Sequence, residues 1–259
     1  MDLGISGRSA IVCASSRGLG KACARALAEE GCRVVVNGRD AAVLEATAVE
    51  LRAATGAEIV AVAADVGTRE GQDALLAACP APDILVNNNA GPPSKDFRQL
   101  DRDAMVAGVA ANMITPVELI QRVIDGMIER RFGRIVNITS SSVKAPLAGL
   151  DLSSGARAGL TAFLAGVARQ VAEHNVTINH ILPGAFDTDR LASILSGAAK
   201  KAGTDVETAA EARRRSIPAK RFGQPDEFGR ACAFLCSAHA GYITGQNLLI
   251  DGGNVPTAF

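Results

Sequence analysis

Short β-branched runs alternate with longer segments of helical period along almost the whole chain, and this alternation constrains the fold more than any other feature. The pattern predicts strands at Ser9 to Ala14, Arg33 to Asn37, Glu58 to Ala63, Ile84 to Asn87, Arg134 to Thr139 and Val176 to Leu182. Between them it predicts helices over Leu19 to Glu30, Ala41 to Ala54, Arg69 to Ala78, Asp101 to Arg131 and Ser154 to His174, with a last helix and strand after Gly223. A helix between each pair of strands returns the chain to the same edge of the sheet, so the expectation is α/β: a doubly wound parallel sheet with helices on both faces.

Nearly half the residues are apolar (48%) but only 3% are aromatic, so the core is expected to be built from Ala, Val, Leu and Ile, which suits helices lying close on a sheet. No repeat, linker or low-complexity tract divides residues 1–259, and one domain is expected. The stretch from Asp187 to about Phe222 breaks the rhythm and is read as a mobile helical flap over the site, because irregular insertions after a strand's carboxyl end lie where ligands bind.

Acidic and basic side chains balance at 27 each, with only the short cluster Arg213 to Arg215 of one sign, so neither nucleic acid nor an anionic membrane is an expected partner. The first residues lead straight into a strand without a signal-like segment, and a cytoplasmic protein is expected. Six scattered cysteines in a chain of this size predict reduced core thiols. Cys232, Cys236 and His239 could share a helical face but lack a fourth ligand, and no metal is expected.

After the first strand the chain runs Ala14-Ser15-Ser16-Arg17-Gly18-Leu19-Gly20 directly into a helix. Gly18 lets main chain approach a pyrophosphate, Gly20 allows close helix-on-strand packing, and the helix N-terminus offers unpaired N–H groups, so this Rossmann-type turn predicts a dinucleotide. The second strand ends at Asn37-Gly38-Arg39, with no acidic residue to hold ribose hydroxyls. Arg17 and Arg39 instead suit the 2′-phosphate of NADP(H), which is preferred over NAD(H).

With Asp65-Val66 after the third strand and Asn87-Asn88-Asn89-Ala90-Gly91 after the fourth, the chain resembles the short-chain dehydrogenase/reductase family, in the branch of the 3-oxoacyl carrier-protein reductases. Asn112 in the long helix, Pro183-Gly184 with Thr188, and the tail segments Tyr242 to Gln246 and Asp251 to Gly253 extend the resemblance. It implies that Ala14 to Gly20, Arg39, Asp65, Val66, Asn88 to Gly91, Pro183, Gly184 and Thr188 hold the cofactor. It also implies a homodimer or homotetramer through the long helices and a small-molecule substrate.

Two departures fall on the cofactor side. Ala14 stands where the family has its first glycine, which is compatible only with a negative φ. The triple asparagine leaves the register of the Asn-Asn-Ala-Gly motif open by one residue, with Asn89-Ala90 or Ala90-Gly91 at its end.

The chemical side departs further. In the family, a serine after the fifth strand polarises a carbonyl, a tyrosine some 13 residues on passes the proton, and a lysine four residues beyond lowers that tyrosine's pKa. Here Ser140 keeps the serine, but counting on reaches Ser153 and then Arg157. A serine hydroxyl is a far weaker acid than a phenol, and a guanidinium cannot relay a proton. Losing general acid catalysis costs roughly 10²- to 10⁴-fold. Lys144 is the nearest candidate replacement donor, with Asn112 supporting a water chain. The residues are thus compatible with an NADP(H)-dependent oxidoreductase with a rewired proton path, acting on a small carbonyl, imine or 3-oxoacyl-like compound. They are also compatible with an NADP(H)-binding sensor or partner subunit, and with a non-redox lyase.

Overall fold

The alternation is realised in full in the computed structural model, which describes residues 2–256. In chain order the elements are β1 (Ser9–Val12), α1 (Gly18–Glu29), β2 (Arg33–Gly38), α2 (Ala41–Thr55), β3 (Ile59–Ala63), α3 (Arg69–Ala78), β4 (Ile84–Asn87), α4 (Arg102–Val109) and α5 (Thr115–Glu129). They continue with β5 (Gly133–Ile138), α6 (Asp151–Val171), β6 (Val176–Pro183), α7 (Asp189–Ala202), α8 (Val206–Ser216), α9 (Pro225–Cys236) and β7 (Asn247–Ile250). The strands form one seven-stranded sheet in the order β3-β2-β1-β4-β5-β6-β7, every pair parallel.

Both faces of the central strands are buried, so their sequences are continuous apolar runs in which neighbouring residues serve opposite cores. In β1, Ala10 and Val12 join the core under α1, α2 and α9, while Ile11 joins the one under α3, α5 and α6. Small residues bring α9 against α1: a Cβ on Gly229 would lie 2.3 Å from the carbonyl oxygen of Ala22. Strand order reverses between β1 and β4, and the crevice this leaves at their carboxyl ends is where an open α/β sheet takes a ligand.

Two expectations shift in detail. The first strand ends at Val12; Cys13 still donates its N–H to the Val86 carbonyl (3.0 Å), and the chain turns off from Ala14. The long helical stretch from Asp101 is broken into α4 and α5 by a π-helical turn, Ala110–Ile114, which carries Asn112. Helices with such a bulge often hold a functional residue there. By length and composition Arg102–Glu129 could cross a membrane, but the stretch is interrupted by that turn and α5 packs its apolar face on β5.

The stretch after β6 is helical as expected, folding into α7 and α8, whose Leu191, Leu195 and Ala210 form a small core of their own with Ala185 and Phe222. Among the described residues no group of three His, Cys, Asp or Glu is placed to hold a metal. The thiols of Cys232 and Cys236 are fully buried, and His239 Nε2 is engaged with the carbonyl of Asp2.

His180 lies in the middle of β6 beside Asn137 and Asn247, and its Nδ1 is buried without a partner. Burial pushes its pKa from 6.5 down to about 4. The unfolded chain takes up this proton first, so the stability is full above the unfolded pKa and is lost as pH falls from 6.5 towards 4. Denaturant titrations over that window should show a loss of the order of 3 kcal/mol from this group. The Gln variant of His180 should lack that part of the slope.

Candidate functional site

The turn after β1 is fixed by bonds to three neighbouring strands. Ala14 N–H donates to Asn37 Oδ1 (3.2 Å), and its carbonyl accepts from Asn88 Nδ2 (3.1 Å). Ser15 is fully buried; its hydroxyl donates to the Val12 carbonyl (2.7 Å) and accepts from Asn37 N–H (2.9 Å). Asn37 in turn donates to the carbonyls of Val62 and Ala64, tying β3 to the same point. So Ser15 shapes the turn, and its side chain has nothing left to offer a phosphate.

Ala14 does not keep the negative φ expected of it. It sits at φ 43°, in the left-handed region, and Gly18 follows at 56°. The reason is the approach of α1: a Cβ on Gly20 would fall 2.4 Å from the Ala14 carbonyl oxygen, so helix and turn close on each other until only glycine fits. The position at which the family has glycine is therefore still a glycine conformation, held on an alanine by the Asn37 and Asn88 bonds.

These residues fit a dinucleotide's phosphates. Arg17 is the N-cap of α1 and makes no side-chain capping bond, so the first N–H groups of the helix lack a capping partner. Ser16 contributes its carbonyl to Thr47 Oγ1 (2.8 Å), and a Cβ on Gly38 would stand 3.0 Å from Ser16, which brings the end of β2 and exposed Arg39 to the same turn as Arg17. Arg17 makes only a long, solvated pair with Asp189 (3.9 Å), which is easily exchanged for a phosphate. Leu19 packs against the core beneath the turn.

Further round the crevice, Asp65 accepts from Gly67 N–H (2.8 Å) and is exposed, whereas Val66 is buried in the core and can offer a nucleotide only main chain. Asn88 is spent on Ala14, and Asn89 donates to the carbonyl of Ala111 (3.2 Å). Ala90 is exposed and its carbonyl accepts from Asn112 (3.4 Å), which also donates to Gly108 (3.3 Å). Gly184, after Pro183, is pressed against Asp251, where a Cβ would come within 2.6 Å. Thr188 caps α7 through Leu191 N–H, and its methyl lies 3.6 Å from where a Cβ on Gly18 would be, closing the β6–α7 loop onto the turn.

On the chemical side, Ser140 caps the short helical turn Ser141–Val143 at the end of β5. Its Oγ accepts from both the N–H (3.1 Å) and the hydroxyl (2.9 Å) of buried Ser142, which leaves the Ser140 proton to be donated outward. Ser153 and Arg157 are both buried one turn apart in α6, and the guanidinium donates to Ser153 Oγ. Lys144 is exposed at the far end of the Ser141–Val143 turn and makes no bond to Ser140 or Ser153, so the structure does not bring it into the group it was expected to join.

Several contributors escaped sequence reasoning. Asn87 donates to Asn137 Oδ1 (2.9 Å), Asn137 to the carbonyl of Asn179 (3.3 Å), and Asn179 to that of Ile243 (2.7 Å), a buried relay that fixes the strand ends under the site. Asparagines recurring within three apolar strands were its only trace. Arg190, in the first turn of α7, was also missed: its Nη2 lies 3.1 Å from the Cβ position of Gly91, and Arg157 Nη2 lies 3.2 Å from the same point. Beside Gly91 opens a mainly apolar cavity of about 220 Å³, bordered by Pro92, Leu100, Asn112 and Leu152.

Replacing Ala14 by Gly should stabilise the fold by about 1 kcal/mol, because it removes left-handed strain at the cost of a looser unfolded chain. Ala14→Val should destabilise it. Urea unfolding of the two variants checks both signs.

The profile of the family described as Enoyl-(Acyl carrier protein) reductase matches residues 13–254. Nodulation protein G of Azospirillum brasilense is 35% identical over 96% of this chain and 98% of its own. The NADPH-dependent reductase BacG of Bacillus subtilis is 30% identical over 97% and 99%. Among solved structures, the L-sorbose reductase of Gluconobacter frateurii, complexed with NADPH and L-sorbose, superposes with a TM-score of 0.93 at 30% identity, covering 99% of this chain and all of that one. Agreement in sequence and fold over nearly the full length of each chain makes this protein a member of the short-chain dehydrogenase/reductase family.

Proposed function

We propose that the protein is an NADP(H)-dependent oxidoreductase that reduces a small carbonyl, imine or 3-oxoacyl-like substrate through a rearranged proton path. The observation that carries this reading is the pairing of an intact cofactor turn with Ser140, whose hydroxyl accepts two bonds from Ser142 and so keeps its own proton for a substrate oxygen. The NADPH-bound sorbose reductase and the NADPH-dependent BacG, both similar over nearly all of this chain, support the choice of cofactor.

A dinucleotide held at this turn would supply the hydride. Arg17 and Arg39 stand beside the turn where the 2′-phosphate of NADP(H) would be gripped, and Asn112 keeps the Ala90 main chain in place at the crevice wall. Ser140 donates to the substrate oxygen as negative charge develops on it, a role worth roughly 10²- to 10³-fold in rate. Ser153 is held by the Arg157 guanidinium, so its hydroxyl proton is turned outward as the remaining donor. Aliphatic hydroxyls are weak acids, and an iminium substrate suits this site because hydride addition alone completes its reduction to an amine. A ketone also needs one proton, and its reduction is correspondingly slow.

Two measurements test the reading. Fluorescence titration should show NADPH binding, weakened about tenfold in Arg39→Gln with NADH binding unchanged; no NADPH binding by the native protein would reject the proposal. The double substitution Ser153→Tyr with Arg157→Lys should raise ketone reduction by about 10²-fold or more, since it restores a phenol beside an ammonium.

A further inference from the structure

The hydroxyl of Ser142 is fully buried, and among the described residues it has a single hydrogen-bond partner, Ser140 Oγ at 2.9 Å. Burying a hydroxyl costs stability unless it is bonded, and an alanine of nearly the same volume would fill this place without that cost. The bond is not needed to shape the turn. Ser140 already caps it through the Ser142 N–H (3.1 Å), and main-chain bonds close it, from Val143 to Ser140 (3.1 Å) and from Lys144 and Ala145 to Ser141 (3.0 and 3.1 Å). Just before it, Thr139 N–H donates to the Ile181 carbonyl (2.9 Å) and ties the segment to β6. The two oxygens are thus held at bonding distance by a fixed backbone, and the second hydroxyl is left to act on the first alone.

We propose that Ser142 is a positioning residue for Ser140: it strengthens the Ser140 hydroxyl as a hydrogen-bond donor to a substrate on whose oxygen negative charge develops. The inference rests on the oxidoreductase reading above and assigns part of the rate to a buried residue that acts only through Ser140. A hydroxyl pair can share its proton in either direction, but once Ser140 turns its own proton to a substrate oxygen the bond runs one way, from Ser142 to Ser140. The Ser142 N–H meets the same oxygen, so Ser140 Oγ then has two donors behind it and one acceptor in front. Chains of hydrogen bonds polarise one another, and a donor backed in this way holds a developing oxyanion more strongly than a lone hydroxyl does. No bond to hydrogen breaks at Ser142. A ketone builds negative charge on its oxygen as hydride arrives and draws on the pair, whereas a quaternary iminium ion has no such oxygen and gains nothing from it.

The test uses the full protein with NADPH and two six-membered rings, cyclohexanone and the quaternary N-methylpiperideinium ion. Ser142→Ala should slow ketone reduction about three- to tenfold more than iminium reduction, while NADPH affinity holds. Ser142→Cys, which nearly keeps the volume but donates weakly, should fall between. In a Ser140→Ala background the same change should alter the ratio by less than about twofold, because the hydroxyl then has nothing to act through. The carbonyl stretch of isotope-labelled cyclohexanone, bound together with NADP+, reads the donor without turnover. It should lie lower in the native protein than in Ser142→Ala, since a stronger hydrogen bond weakens the carbonyl. Equal losses for ketone and iminium overturn the proposal and leave Ser142 a structural residue; so does an unchanged stretch, or an effect that persists undiminished in Ser140→Ala. If neither ring is reduced while the stretch still differs, the coupling of Ser142 to Ser140 stands and the oxidoreductase reading falls. Reduction of both rings with no difference in ratio or stretch does the reverse.

Discussion

Much of this architecture depends on the contact between the Ala14 carbonyl and Gly20. The first turn of α1 sits so close to the end of β1 that no Cβ fits at Gly20, and the same carbonyl is held from the other side by Asn88 at the end of β4. That contact fixes α1 over the switch point of the sheet and turns its uncapped N–H groups into the crevice. It also forces Ala14 into a conformation that alanine resists, and Asn37 and Asn88 are what hold it there. Strain of this kind persists where surrounding bonds over-determine a backbone, and it concentrates where a ligand is to be met.

The two halves of the candidate site differ in character. On the nucleotide side Ala14 holds the left-handed conformation that suits glycine, kept there by the Asn37 and Asn88 bonds. On the chemical side α6 brings a hydroxyl, Ser153, and a guanidinium, Arg157, together one turn apart, a pair less suited to passing a proton than a phenol beside an ammonium. A fold can keep its binding apparatus while its chemistry shifts, because hydride transfer and proton transfer rest on different residues.

The alternation of strand and helix was legible because both faces of a parallel sheet are buried and every strand is therefore an uninterrupted apolar run. Its ends were not. Nothing in the run Ser9 to Ala14 tells that the strand ends at Val12, since the turn at Ala14 is held by Asn37 and Asn88 from two other parts of the chain. The break at Asn112 did leave a trace, in Pro116, which lacks the N–H that would bond the Asn112 carbonyl and whose ring crowds it, but the trace does not tell a π turn from a kink or a helix end. Lys144 was a plausible donor by sequence distance, but the short turn from Ser141 to Val143 carries it to the surface.

By itself the sequence determined the class of fold, and it marked out the turn from Ala14 to Gly20 and the pair Ser153 and Arg157 as the places to look, since each follows from residue type at fixed spacing along one or two elements. Only the tertiary structure decided which polar groups are already spent, as at Ser15 and Asn88, and which remain uncompensated, as at Arg157. Satisfaction of a buried group depends on partners brought from distant parts of the chain. Arg190 comes from the first turn of α7, Gly91 from the loop after β4 and Arg157 from α6, and their close approach is a product of how the sheet is wound.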